Sequence, residues 1–287
     1  MLKKHILVAF LLCSCFAYSQ ARDIAGVEYS GFLAKKGDPD FSRFKVWLNV
    51  PIFFKNKNHI LISGLKYSNI NLNMDGGYGF NTAPLDRIHV IEYSLGYLYT
   101  INEKWKLIAQ ITPSIASNLE TSITSEDLIW SGGVLFINTL NKEKERKLTL
   151  GLVYNQTMGI PAPIPFVVYS NRPTEKISYT LGVPITKLKY HFNEETSFES
   201  FITLDGYYAN LSNNIAINEQ IAEKISMTAV VLGVGYERYF GKHLNLYIKG
   251  GYTIHSSLRL FENIKDEVFN FNIDKSFIFR TGLKFNF

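Results

Sequence analysis

Residues 275–287 read KSFIFRTGLKFNF and end on an aromatic side chain. Successive side chains of a β-strand point to opposite faces, so this stretch has two faces of different character. The even-numbered positions include Arg280 and Lys284 and suit water. The odd-numbered positions suit lipid: Phe277, Phe279, Thr281, Leu283, Phe285 and Phe287.

Strands of soluble β-sandwiches alternate in the same way, so the rest of the chain decides the fold class. The pattern recurs along the whole chain, mean hydropathy is near zero, and 14% of the residues are aromatic. These features are typical of strands with one face in lipid and one in water. An open sheet edge in hydrocarbon would leave amides unpaired. The sequence therefore predicts an all-β, closed antiparallel transmembrane β-barrel.

The alternating segments predict 12 to 14 strands. The count depends on Pro184, which lies between two short segments at 176–183 and 185–192. Treating Pro184 as a turn gives 14 strands, and dropping the short pair gives 12. Both counts are even, as required if both chain ends lie on the same side of the membrane. The first and last strands then pair antiparallel, and we expect Glu28 near the level of Lys284 if both side chains point inward.

Connections are predicted to alternate between short turns on the periplasmic side and long loops outside the cell. Residues 211–223 are polar and are predicted to form one of the long loops. Pro161, Pro163 and Pro165 are expected to stiffen another connection.

Residues 1–19 are predicted to be a signal peptide that is removed, which leaves one barrel domain at 20–287. Lys3 and Lys4 precede a short apolar run, and small residues follow at 17–19. A lipoprotein processing site at Cys15 is the alternative. The chain's other cysteine, Cys13, also lies in this segment, so the mature chain needs no disulfide framework and redox chemistry is excluded.

The charge balance excludes one class of partner. Without Lys3 and Lys4 the chain has 28 basic and 25 acidic residues, a net charge of +3. This balance is too even to predict binding to nucleic acid or a strongly ion-selective pore.

No phosphate loop, zinc spacing, EF-hand or nucleophile elbow is found, so no cofactor and no metal is predicted. His255 and Ser257 share one strand face, and Asp205 or Glu237 on other strands would serve as an orienting carboxylate in a hydrolase. The same residues fit a polar lumen wall. We interpret them as lumen wall and predict that the protein is not an enzyme.

Charged and polar residues are expected to face the lumen. They suit either a binding or selectivity site for an anionic solute, or a network of paired charges that fills a narrow barrel. The candidates are Lys249, His255, Arg259, Arg280, Lys284, Glu237 and Asp205.

The chain resembles an uncharacterised family of Gram-negative outer-membrane β-barrel proteins with no assigned activity. The resemblance rests on the alternating aromatic strands, on IPFVVYSNRPTEKISYTLGVPITKLKY at 164–190 and on FRTGLKFNF at 279–287. It implies the barrel fold and the outer membrane as location, and it supplies no catalytic or binding residues. Leu283, Phe285 and Phe287 resemble the terminal signal that the barrel-assembly machinery recognises.

These observations lead to one preferred function and two alternatives. We expect a pore that assists the passage of small solutes, with outer-membrane lipid and the assembly machinery as partners. A structural or adhesive barrel with a plugged lumen and a lipid-modifying outer-membrane enzyme are the alternatives. The strand count does not choose between them, because a barrel of 12 to 14 strands is intermediate between packed and open barrels. The solute and the oligomeric state are left open.

Overall fold

The computed structural model describes residues 23–33, 39–55, 58–74, 77–263 and 266–286. The predicted signal peptide, Cys15 and Phe287 lie outside the described residues. Within the described ranges, no helix is long and apolar enough to cross a membrane.

Nearly all of the described chain is β-structure, with two 3₁₀ turns at Ala83–Leu85 and Ser125–Asp127. The strands are β1 Ala25–Leu33, β2 Asp40–Phe53, β3 His59–Asn73, β4 Arg87–Thr100, β5 Trp105–Ser117, β6 Leu128–Asn141, β7 Arg146–Asn155, β8 Ala162–Asn171, β9 Ile177–Val183, β10 Ile185–His191, β11 Thr196–Ile217, β12 Gln220–Phe240, β13 Leu244–Phe261, β14 Glu267–Asn270 and β15 Phe277–Phe285.

The strands form a closed antiparallel barrel of 14 strands, which confirms the predicted fold class. β15 closes the ring by pairing with both β13 and β1, while β14 pairs with β13 outside the ring. Pro184 is the turn between β9 and β10, as the higher predicted count requires. β1 and β15 pair antiparallel as predicted, with Glu28 opposite Gly282 and Lys284 opposite Gly26, so Glu28 lies two residues from the level of Lys284.

The outer surface of the barrel is apolar. On β2, for example, Phe44, Val46, Leu48 and Val50 are exposed, whereas the preceding Arg43 on the other face is buried. A water-soluble protein would not expose so continuous an apolar surface, and contact with lipid accounts for it. The face of β15 predicted to meet lipid follows the same rule, as exposed Phe277, Phe279, Leu283 and Phe285 show.

The two ends of the barrel differ. The end that holds residues 23 and 286 has turns of three to five residues, and we call it the short-turn end. The other end, the long-loop end, carries the connections at 74–86, 118–127 and 262–276. It also includes two tight connections, Pro184, which the higher predicted strand count requires, and the turn at 218–219, which the sequence did not predict.

β9 and β10 are short strands, so the barrel wall does not extend as far toward the long-loop end there. β9 pairs with β8 only from Val167 to Asn171, so the start of β8 has no partner on that side. Pro163 and Pro165 lie on this unpaired stretch within β8, not in a connection as predicted. Prolines suit such a position because they remove backbone donors from an exposed strand edge.

Residues 211–223 are not a loop, which corrects the sequence prediction. β11 and β12 continue as an antiparallel pair to Ile217 and Gln220. β10 accompanies β11 only as far as Thr203. Residues 204–230 of this pair are called the mouth hairpin below; its β11 side is no longer paired with β10, whereas its β12 side pairs with β13 as far as Lys224. It reaches across the barrel, where Asn210 pairs with Ser117 of β5.

The main apolar core lies between the mouth hairpin and the barrel wall. Tyr207 stacks on Phe41 of β2 with ring centroids 6.2 Å apart. From the hairpin, Ile225 and Met227 are almost completely buried. The core is completed by residues of the wall and the long loops, including Ile70, Leu72, Leu85, Ile88, Leu258, Leu260 and Phe271.

Candidate functional site: the barrel lumen

A first group of ion pairs crosses the lumen and consists of Glu28, Arg43, Lys45, Asp205 and Arg280. Arg43 donates two hydrogen bonds to the Asp205 carboxylate, at 3.0 and 2.7 Å. Arg280 donates a third to Asp205 at 2.6 Å. Lys45 donates to Glu28 at 2.9 Å. Both acids are therefore held by paired cations.

A second group of ion pairs consists of Lys189, Glu199, Glu237 and Lys249. Lys249 contacts Glu199 at 2.5 Å, and Lys189 contacts Glu237 at 2.6 Å. Each lysine also lies 3.7 Å from the other glutamate. The four side chains form an alternating ring of charge in which neither sign is in excess.

These groups narrow one sector of the lumen. Asp205 stands on β11 and Arg43 on β2, and these strands are separated in the ring by β12, β13, β15 and β1. Their contact therefore bridges the lumen rather than linking neighbouring strands. Side-chain exposure is only 8% for Arg43 and 11% for Asp205, so little water reaches this pair.

Lys284 lies closer to the short-turn end than the two groups. It pairs with Asp23 at 3.1 Å, and its ammonium lies 4.9 Å from the centre of the Tyr247 ring. The Tyr247 hydroxyl donates a hydrogen bond of 2.6 Å to Glu28. Lys284 is thereby connected to the first group through an aromatic side chain.

The structure does not place His255 and Arg259 in the lumen groups. A β-bulge at Ile254 of β13, opposite Val230 and Val231 of β12, shifts the pairing of the two strands by one residue. Beyond the bulge Leu258 occupies the buried face, while Arg259 pairs with Glu267 at 3.2 Å. The alternation used in the sequence prediction is therefore reversed from His255 onwards.

The bulge also removes the basis for a hydrolytic site at His255. The two carboxylates proposed as orienting groups are engaged elsewhere, Asp205 with arginines and Glu237 with Lys189. His255 is exposed. Among the described residues, no group of three or more histidine, cysteine and acidic side chains is arranged to hold a metal ion.

The mouth hairpin is fastened to the loop between β5 and β6. Asn210 donates a hydrogen bond of 2.7 Å to Asp127, and the backbone N–H of Ser212 donates one of 2.8 Å to Asn118. The hydroxyls of Ser117 and Ser212 lie 2.8 Å apart. These polar contacts join the hairpin to the far wall and close the mouth.

Asp127 is the buried acid of this fastening, with 1% of its surface exposed. Burial by itself would raise the pKa of its carboxyl. Hydrogen bonds from the Thr124 backbone N–H and from Asn210 outweigh burial and hold the pKa of Asp127 below its usual range. The contact therefore favours the carboxylate form.

The packing at the mouth leaves little space. A cavity beside Phe41 and Met227 has a volume of about 30 Å³. A second cavity beside Phe201 and Lys249 has a volume of about 10 Å³. Spaces of this size hold roughly one water molecule each and do not form a passage.

The opposite sector of the lumen is less filled. Gln110 of β5 shares the inward face with Gly96 of β4 and Gly133 of β6. It is nevertheless exposed, because the side chains around it do not cover it. The sequence did not predict this difference between the two sectors of the lumen, because alternation identifies inward positions but not the side chains on the opposite wall.

The closed ring, its apolar outer surface and its charged interior define a β-barrel of the outer-membrane type. The chain belongs to the family described as Domain of unknown function (DUF6268), whose model matches residues 31–286. This match confirms the resemblance inferred from the sequence. The search of curated proteins found no match.

Solved structures of outer-membrane barrels are similar in fold. The NanC porin has a TM-score of 0.39 and 12% identity, covering 91% of this chain and 100% of that chain. The toluene transporter TodX of Pseudomonas putida has a TM-score of 0.42 and 9% identity, covering 94% and 90%. The translocator domain of the autotransporter NalP from Neisseria meningitidis has a TM-score of 0.40 and 9% identity, covering 99% and 95%. Likeness at this level concerns the fold alone.

Proposed function

We propose that the protein lies in the outer membrane of a Gram-negative bacterium and admits small solutes through its lumen, with the mouth hairpin as the gate. The observation that carries this proposal is the exposure of Gln110, an inward side chain. A barrel that served only as a scaffold would have its lumen filled on all sides. Here one sector is filled with two groups of ion pairs, whereas Gln110 in the other sector is left exposed.

The hairpin suits a gate because of how it is held. The polar contacts of its far end, residues 211–223, include the hydrogen bonds to the loop between β5 and β6. Such contacts exchange readily with water. Its base, in contrast, is continuous with β11 and β12, and β12 pairs with β13 as far as Lys224. Opening therefore moves only the far end, beyond Lys224, while the barrel stays intact.

A structural or adhesive barrel is the second candidate function. The observation that favours it is the buried core between the hairpin and the wall, where Leu211 and Ile225 have exposures of 1% and 0%. Separating these side chains from the wall exposes apolar surface to water, which opposes opening. Conductance distinguishes the two candidates.

The experiment is a reversible lock between the hairpin and β5. Ser117→Cys with Ser212→Cys places two thiols where hydroxyls now lie 2.8 Å apart, which suits a disulfide. The sequence has no cysteine after Cys15, so protein produced from residue 20 onwards carries no competing thiol. In planar bilayers we expect reproducible current from the reduced variant and loss of that current on oxidation.

A matched control forms a disulfide away from the hairpin. Val27→Cys with Leu283→Cys joins β1 to β15 at paired positions on the lipid face. Oxidation of this pair should leave the current unchanged. A folded protein that carries no current in either redox state would refute the channel and favour the structural barrel.

The assembly route is a further part of the proposal. We propose that the barrel-assembly machinery recognises the terminal strand through Leu283, Phe285 and Phe287. The first two side chains are exposed on the lipid face of β15, at 40% and 45%. This exposure leaves them accessible to another protein before lipid surrounds the barrel.

A further inference from the structure

An apolar row lines the less filled sector of the lumen. Ile60 of β3 lies opposite Leu98 of β4, which lies opposite Ile108 of β5. Ile108 in turn lies opposite Leu135 of β6. The row continues across Gly151 to Phe166 of β8. These five side chains, Ile60, Leu98, Ile108, Leu135 and Phe166, are called the apolar belt.

The belt is unusual for the inside of a membrane barrel, because lumens that hold water are lined by polar side chains. Its members are only partly buried, unlike the core at the mouth, where Ile88 and Leu260 have 0% exposure. An apolar surface that is continuous and not covered marks a binding site. The belt crosses five strand spacings, about 24 Å of wall, which is long enough for an extended alkyl chain.

Two lysines flank this surface. Lys106 lies two residues from Ile108 on β5, and Lys147 occupies an inward position on β7, with only β6 between these strands. Within the described part of the chain, neither lysine has an ion pair or hydrogen bond. Every acid of the two lumen groups, in contrast, is engaged by other cations.

We propose that the belt binds the alkyl chain of a free single-chain anionic amphiphile, such as a long-chain carboxylate, and that Lys106 and Lys147 hold its head group. The inference rests on the proposed function and names the solute class. Burial of the chain against the belt supplies affinity. Charge-assisted contacts to Lys106 and Lys147 select an anionic head over a neutral one. A small polar solute would contact the lysines and not the apolar belt.

The test is binding of 11-(dansylamino)undecanoate to the protein in phosphatidylcholine nanodiscs, followed by fluorescence, with empty nanodiscs as background. We expect saturable binding that dodecanoate displaces. Dodecyl maltoside, which has a neutral head on the same chain, should displace the probe at least tenfold less well. Equal displacement by both competitors would overturn the role of the lysines.

Variants assign the site. Leu135→Asn should weaken binding tenfold or more by placing an amide in the belt. The combined change Lys106→Gln with Lys147→Gln should weaken binding by a similar factor. Lys104→Gln is the matched control, because Lys104 is an exposed lysine in a turn at the short-turn end. This change should leave binding unchanged. Normal binding by a correctly folded Leu135→Asn variant would refute the belt.

The source of the ligand is tested by adding phosphatidylglycerol to the nanodiscs. Unchanged probe binding supports a free amphiphile, and loss of binding would show that a membrane phospholipid occupies the belt instead. The outcomes are distinguishable from those of the channel proposal. Saturable binding without conductance leaves the belt site standing and removes the channel, whereas conductance without binding does the reverse.

Discussion

Replacing Asp205 with asparagine should destabilise the folded barrel strongly. Asp205 accepts hydrogen bonds from Arg43 at 3.0 and 2.7 Å and from Arg280 at 2.6 Å. The substitution keeps the shape of the side chain and removes its charge. Two guanidinium groups then lose their shared counterion, and Arg43 is only 8% exposed. Removing one partner of a buried ion pair costs about 3–5 kcal/mol.

Arg280 retains a contact with Glu28 at 3.8 Å, so the lower part of this range, about 3 kcal/mol, is expected. Urea unfolding of the protein in lipid vesicles measures the loss, with heat-modifiability gels to verify folding. Glu103→Gln is the matched control, because its pair with Lys142 is 3.3 Å long but 69–89% exposed. The control should cost less than about 1 kcal/mol. Equal stability of the two variants would refute a structural role for the first ion-pair group.

Three other predictions concern the hairpin and the terminal strand. Because the folded-state pKa of Asp127 is lowered, the stabilisation that its carboxylate provides is complete at neutral pH and is lost as the pH falls through the acid range. Asp127→Asn should therefore make the free energy of unfolding, measured in urea titrations, less dependent on pH in that range. Gly159→Ala should destabilise more than Gly241→Ala in the same assay, because both have positive φ but only Gly159 lies against a hairpin hydroxyl. Deletion of Phe287 should reduce the folded protein in outer-membrane fractions, whereas Lys284→Ala should not, and equal assembly of both would contradict the delivery signal.

The outer surface could be predicted from the sequence because lipid imposes one rule on every strand. A side chain at each second position must be apolar, and residues such as Phe44 and Leu283 obey it. The period therefore appears in the sequence without knowledge of the neighbours. Pro184 was located by the same rule, since alternation stops and restarts there.

The interior could not be predicted in the same way. The apolar residues at 211–223 are spaced irregularly, because the pairing of β11 and β12 shifts between Asn210 and Ile215. Their burial depends on the wall opposite, which local sequence does not specify. One extra residue in β13 likewise reversed the faces of His255 and Arg259. The partners of Asp205 could not be predicted from the sequence, because they lie on strands that are far from β11 in the ring.

The central claim is that water fills part of the lumen behind a closed mouth. Gln110→Cys tests it most directly in vesicles of known orientation, with a charged thiol reagent that does not cross the membrane. We predict rapid modification from the short-turn end and slow modification from the long-loop end. Ile111→Cys, on the lipid face, should react from neither side. Equal modification of Gln110→Cys from both ends, or from neither, would contradict the account.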